Sequence, residues 1–188
     1  MFLFINETSK YIIMNIIKVF EKEFIRMKEK NWDCIYVLVD IHGTIFTPSY
    51  NNEETYEFYP YAKEALQILS ARKDIKIILW SSTDRKTLNK YHIELCNNDI
   101  YVDYFNANPE VDGSDCSIKT ASFNHKPYFN IGIDDRFGFE PEKDWANIYS
   151  WLCKKEIDEN WDQVKDWTAE QWKEAHDFFQ KYFKNKKE

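Results

Sequence analysis

The apolar run Ile-Tyr-Val-Leu-Val at residues 35–39 leads into Asp40-Ile-His-Gly-Thr44, and no other feature of the 188-residue chain constrains its fold as much. Continuous Val, Ile and Leu mark a strand covered on both faces, the hallmark of parallel α/β sheets. In such sheets ligands sit beyond the carboxyl ends of the strands. Gly43 permits a sharp turn there, and the amides near Gly43 and Thr44 can then face an anion instead of the sheet. Asp40 stands at that end with a charge to use.

Two more runs end the same way. Residues 75–80, Ile-Lys-Ile-Ile-Leu-Trp, stop at Ser81-Ser82-Thr83, hydroxyls suited to a phosphoryl oxygen. Residues 128–133, Tyr-Phe-Asn-Ile-Gly-Ile, stop at Asp134-Asp135. Adjacent carboxylates oppose each other's ionisation unless a cation lies between them. Mg²⁺ is the natural cation, because it takes one or two carboxylates and leaves its other positions to water and phosphate. Each motif also has a plainer reading. Asp and Gly are common turn residues, Ser81 to Asp84 can cap a helix, and an acidic pair can be a solvated strand exit.

Taken together, these residues resemble the haloacid dehalogenase-like superfamily of phosphohydrolases. Its motifs are Asp-x-Asp-Gly-Thr after a strand, a strand-end Ser or Thr, a Lys, and an acidic pair after another strand. The resemblance spans residues 35–139 in the family's order, with one departure: His42 stands where the family has its second Asp. It implies a Rossmann-like three-layer α/β sandwich with a central parallel sheet. Asp40 would be the nucleophile, forming an aspartyl-phosphate that water cleaves. Asp40, the His42 carbonyl and Asp134 would hold Mg²⁺, with Asp135 direct or through water. Ser81, with Ser82 beside it and the amides at Gly43 and Thr44, would bind phosphoryl oxygens. His42 could also stand in for the missing Asp as general acid and base, since imidazole exists in both forms near neutrality.

Two residues compete for the lysine. Lys126 lies 134 − 126 = 8 residues before Asp134, which at about 3.3 Å per strand residue places it near the far edge of the sheet. Lys119 lies in the preceding crossover and is slightly preferred. Asn106, Asn108 and the loop at residues 49–55 are further candidate substrate contacts.

The spacing implies a member without a cap domain. Residues 46–76 span 76 − 46 = 30 positions and residues 81–119 span 119 − 81 = 38, mostly read as helix and strand. An open site suits a phosphorylated macromolecule, or a small phosphate ester enclosed by an oligomer neighbour. The expected activity is Mg²⁺-dependent phosphomonoester hydrolysis. A non-catalytic phosphate-binding or interaction protein, motivated by His42 and the tryptophan-rich C-terminal segment, and a phosphotransferase are the alternatives.

Helices are expected at residues 15–30, 61–72 and 83–96, and a short strand at 101–105, from apolar spacing and caps. The whole of 1–188 reads as one domain. Residues 1–30 form an N-terminal helical extension, and 141–188 form a C-terminal helical extension holding five of the seven tryptophans. In the latter, Thr168-Ala-Glu-Gln171 is a capping box, and Trp172, Ala175, Phe179 and Phe183 share a stripe that reads as core or as an aromatic binding face. With 44% hydrophobic residues the chain is globular, and its net charge of −7 argues against extended nucleic-acid binding. The four scattered cysteines point to a reducing, cytoplasmic setting, no run is long enough to span a membrane, and residues 1–5 are too short for a secretory apolar region.

Overall fold

The computed structural model describes residues 15–48, 54–111 and 126–159. Its centre is an all-parallel four-stranded sheet in the order β3-β2-β1-β4. The strands are β1 (Ile35–Asp40), β2 (Ile75–Trp80), β3 (Tyr104–Phe105) and β4 (Ile131–Ile133), and the helices are α1 (Ile16–Lys30), α2 (Ala62–Ala71), α3 (Arg85–Asn97) and α4 (Pro141–Glu159). A 3₁₀ turn over Asp135–Phe137 joins β4 to α4.

Successive strand residues point to opposite faces. Val37, Leu38 and Val39, like Ile77, Ile78 and Leu79, are buried in succession, so both faces of the central strands are covered. This is the α/β layering expected for an uninterrupted apolar run. Each such side chain contributes roughly 1.5–3 kcal/mol by leaving water. Strands β1 and β2 pair in full register from Ile35↔Ile75 to Asp40↔Trp80. Asp40 is therefore level with Trp80, and Ser81 follows one residue further along the neighbouring strand.

The edge strands are shorter than the sequence suggests. Expected over 128–133, β4 forms only at Ile131–Ile133, and β3, expected over 101–105, only at Tyr104–Phe105. Each pairs with one neighbour, and side chains replace ladder bonds where pairing stops. Asn130 Oδ1 accepts from Tyr36 N–H at 2.9 Å, and Asp103 Oδ2 accepts from Ile77 N–H at 2.8 Å.

The helices follow their caps. Asn15 accepts from the amides of Ile17 and Lys18 and opens α1, which Asn31 ends in the left-handed conformation. Asp84, not Thr83, caps α3 by accepting from the Lys86 and Thr87 amides. Helix α2 runs over Ala62–Ala71 and is entered through Tyr61 at a φ of 66°. Between β1 and α2 the described residues hold only a small bridged loop, in which Phe46 pairs with Phe58 and Thr47 N–H bonds Glu57 O.

The chain divides into two compact units, residues 1–151 and 152–188. Two tryptophans assigned to a C-terminal extension belong to the first unit. Trp145 is fully buried, and the Trp151 ring packs on Phe20 and Phe24 of α1 at 5.3 and 5.8 Å. Of the second unit only the end of α4 is described. Trp161, Trp167, Trp172 and the capping box at Thr168 lie outside the described residues. No described helix is long and apolar enough to cross a membrane, and Cys34, Cys96 and Cys153 are free thiols.

Candidate functional site

Three carboxylates meet beyond the carboxyl ends of β1 and β4. Asp40, Asp134 and Asp135 each offer an oxygen, and these oxygens lie within 4.8 Å of one another. Asp40 ends β1 half-buried, Asp134 is buried, and Asp135 is exposed on the first residue of the 3₁₀ turn. Burial, then the charge of Asp134, pushes Asp40 up to about 6, while the Ile41 amide and the Thr44 hydroxyl hold it lower than it would otherwise be. Such a set favours a hard divalent cation, which would offset the burial and repulsion that raise Asp40.

The loop after β1 is built around this cluster. Gly43 has a φ of +75°, and a Cβ placed there would come within 3.2 Å of Asp135 Oδ2. The glycine thus serves twice, by allowing the left-handed turn and by letting a carboxylate approach the backbone. Its own amide donates to Phe46 O at 2.9 Å and closes the turn, so it is already engaged and does not face an anion as the sequence reading expected. Thr44 is also committed internally. Its fully buried hydroxyl accepts from Asp135 N–H at 3.1 Å, and its carbonyl accepts from Trp145 Nε1–H at 2.7 Å. Thr44 therefore locks the β1 loop to the acidic turn after β4.

Ser81 is buried just past the end of β2, the strand that neighbours β1, with its main chain held on both sides by Asn106. The asparagine Oδ1 accepts from Ser81 N–H and its Nδ2–H donates to Ser81 O, both at 2.8 Å. Ser81 Oγ accepts from Thr83 N–H at 3.2 Å, which leaves the hydroxyl proton to donate. Ser82 is exposed next to it. Asn106 and Asn108, the candidate substrate contacts, both make structural hydrogen bonds, Asn106 from an exposed position and Asn108 from a buried one. Asn106 spans the gap between β3 and Ser81, while buried Asn108 donates to Tyr128 O at 2.9 Å and accepts from Glu110 N–H.

His42 is turned against Tyr91 of α3. Its Nε2 lies 2.9 Å from the Tyr91 hydroxyl, and the two rings meet edge to face at 5.0 Å. Burial lowers the imidazole's affinity for a proton. Tyr91 is itself packed against Phe46 at 5.5 Å and Tyr56 at 5.4 Å, so the histidine rests on an aromatic wall. Nothing in the sequence pointed to Tyr91, which reads as an ordinary core residue of an amphipathic helix.

Lys119 and residues 49–53 lie outside the described residues. Lys126 is exposed. Asn130 N–H bonds Tyr36 O at the start of β1, so the chain bearing Lys126 enters β4 from the edge opposite the carboxylates.

No protein-family model matches the chain. No curated protein matches it either. Among solved structures it is similar to that of a conserved protein from Bacteroides thetaiotaomicron, at 26% identity and a TM-score of 0.48, covering 65% of this chain and 92% of that one. A likeness of that degree carries no argument about function, which rests on the chemistry of the site.

Proposed function

We propose that the chain is a Mg²⁺-dependent phosphomonoester hydrolase acting through an aspartyl-phosphate on Asp40, as the resemblance to haloacid dehalogenase-like phosphohydrolases implies. The observation that carries this reading is the meeting of Asp40, Asp134 and Asp135 oxygens within 4.8 Å of one another. Asp40, Asp134, Asp135 and the His42 carbonyl would hold the ion, which when bound neutralises charge on the carboxylates and the phosphoryl group. The Asp40 carboxylate attacks phosphorus in line as the ester P–O bond breaks. The Ser81 hydroxyl donates to a phosphoryl oxygen, with a lysine, Lys119 or Lys126, as its cationic partner. The leaving oxygen takes a proton from His42. Water then adds to phosphorus, gives its proton back to the imidazole, and releases phosphate and the free carboxylate. General acid and base help of this kind is worth about 10²–10⁴ in rate.

No inserted domain stands over the site among the described residues, which suits an open site and a substrate that is itself bulky or enclosed by a neighbouring copy. Transfer to an acceptor hydroxyl would use the same residues. A second reading is favoured by one observation, that His42 Nε2 is engaged by Tyr91. On that reading the protein binds phosphate without turning it over. Aryl phosphate with Mg²⁺ separates the two: hydrolysis that is lost in Asp40→Asn supports the enzyme. Saturable phosphate binding with no release of aryl alcohol, or equal activity in excess chelator, rejects it.

A further inference from the structure

We propose that Phe137 sets the substrate class of the site, its ring serving as a platform for a planar aromatic group in the alcohol half of the phosphate ester. The substrate side of this rests on the hydrolase reading. The ring stands on the same short turn as the carboxylates: Asp135 opens the 3₁₀ turn and Phe137 closes it. That turn is pinned on both sides of the ring. Phe137 N–H donates to Asp134 O at 2.9 Å and Gly138 N–H donates to Asp135 O at 3.1 Å. Two residues on, Phe139 is buried with its ring 5.1 Å from that of Trp145. Between these anchors the Phe137 side chain is 55% exposed.

The register of the sheet fixes which face the ring lies on. Gly132 pairs with Leu38, and Asp40 follows Leu38 by two residues, so Gly132 and the Asp40 side chain share one face. Phe137 lies against that face. A Cβ on Gly132 would meet Phe129 at 3.3 Å and Phe137 Cδ2 at 3.4 Å, so one edge of the Phe137 ring occupies the space a side chain would take. Two residues along a strand and one strand across amount to about 8 Å, the span from Gly132 to Asp40. A ring carried a few bonds from the phosphorus falls within that distance. Aromatic rings attract at centroid separations of about 4.5–7 Å. A ring already fixed by its turn also loses little freedom when a ligand stacks on it.

The test compares 2-phenylethyl phosphate with 2-cyclohexylethyl phosphate, esters alike in size and leaving group that differ in having a π face. With Mg²⁺ the wild type should show the lower KM for the phenyl ester. Phe137→Leu keeps an apolar side chain without the ring. It should raise the phenyl ester's KM about two- to tenfold, with the loss in KM rather than kcat, and bring the two esters together. Equal KM values in the wild type overturn the proposal, as does a preference that survives Phe137→Leu. If Phe137→Leu instead dissociates an oligomer in sedimentation and leaves the preference intact, the ring belongs to an interface between copies and the proposal falls. Failure of the hydrolase reading shows differently. If the wild type hydrolyses neither these esters nor an aryl phosphate, calorimetric titration of the same protein with the two esters replaces the rates. Tighter binding of the phenyl ester that Phe137→Leu removes then sinks the hydrolase and keeps the platform, whereas equal affinities or no binding overturn the platform.

Discussion

Trp145 Nε1–H donates to the Thr44 carbonyl at 2.7 Å, tying a fully buried residue of α4 to the loop that follows β1. The same threonine takes the Asp135 amide on its hydroxyl, so one residue couples three segments around the carboxylates. Trp145→Phe keeps much of the packing but leaves the Thr44 carbonyl without its donor. Stranding a buried acceptor costs roughly 1–3 kcal/mol. Thermal unfolding should show a fall of several degrees, at about 2–4 °C per kcal/mol for a chain of this size. Mg²⁺ binding, followed by calorimetry, should weaken as the loop loosens.

Gly43→Ala tests the close approach of Asp135. A side chain at a φ of +75° costs about 1–2 kcal/mol, and the new Cβ would sit within 3.2 Å of Asp135 Oδ2. The carboxylate has to move. The expected outcome is a lower Tm together with a several-fold weaker half-saturation by Mg²⁺. An unchanged metal titration would show that Asp135 takes no part in holding the ion.

Asp40 makes a pH prediction whose sign is unusual for a carboxylate. Its folded-state value of about 6 lies above the ordinary 3.8, so without metal the native state holds the proton more tightly than the unfolded chain. Stability from this group is present below about pH 4 and is lost as pH rises through 6. Asp40→Asn lacks that loss. In chelator at pH 7.5 it should be more stable than wild type by about 1–2 kcal/mol, after allowance for solvent screening of a partly exposed group. Denaturation curves of the two should converge near pH 4. Added Mg²⁺ should then raise the wild-type Tm and leave the variant nearly unmoved.

The two lysines are separable by rate. Under the hydrolase reading, losing the ammonium that faces the phosphoryl oxygens costs on the order of a hundredfold in kcat. Lys119→Ala should show that loss and Lys126→Ala a few-fold change at most. Lys126 is exposed on the chain that enters β4 from the edge opposite the carboxylates. The reverse ranking would mean that the segment before β4 returns over the site.

The sheet and its polarity were legible in the sequence because they depend on short local patterns. The apolar run at 35–39 and the one at 75–80, broken only by Lys76, announce strands buried on both faces, and each is followed by a polar residue at the edge where β–α loops gather. Parallel order then brings Asp40, Ser81 and Asp134 to one edge without further information. The lengths of β3 and β4 were not legible, because an edge strand extends only as far as its single neighbour pairs with it. Asn130 and Asp103 end that pairing with side-chain bonds that no periodicity reveals. The roles of individual polar residues were hidden for a related reason. Asn106 looks like a loop residue free to meet a ligand until it is seen bracketing Ser81, 25 positions away. His42 announces itself by breaking a motif, but its partner Tyr91 is 49 positions distant and has the pattern of any core aromatic. Trp145 reaches Thr44 across 101 positions. A strand's burial is written in its own residues, whereas the direction of a hydrogen bond between distant segments depends on how the chain has already packed, and only the tertiary structure decides it.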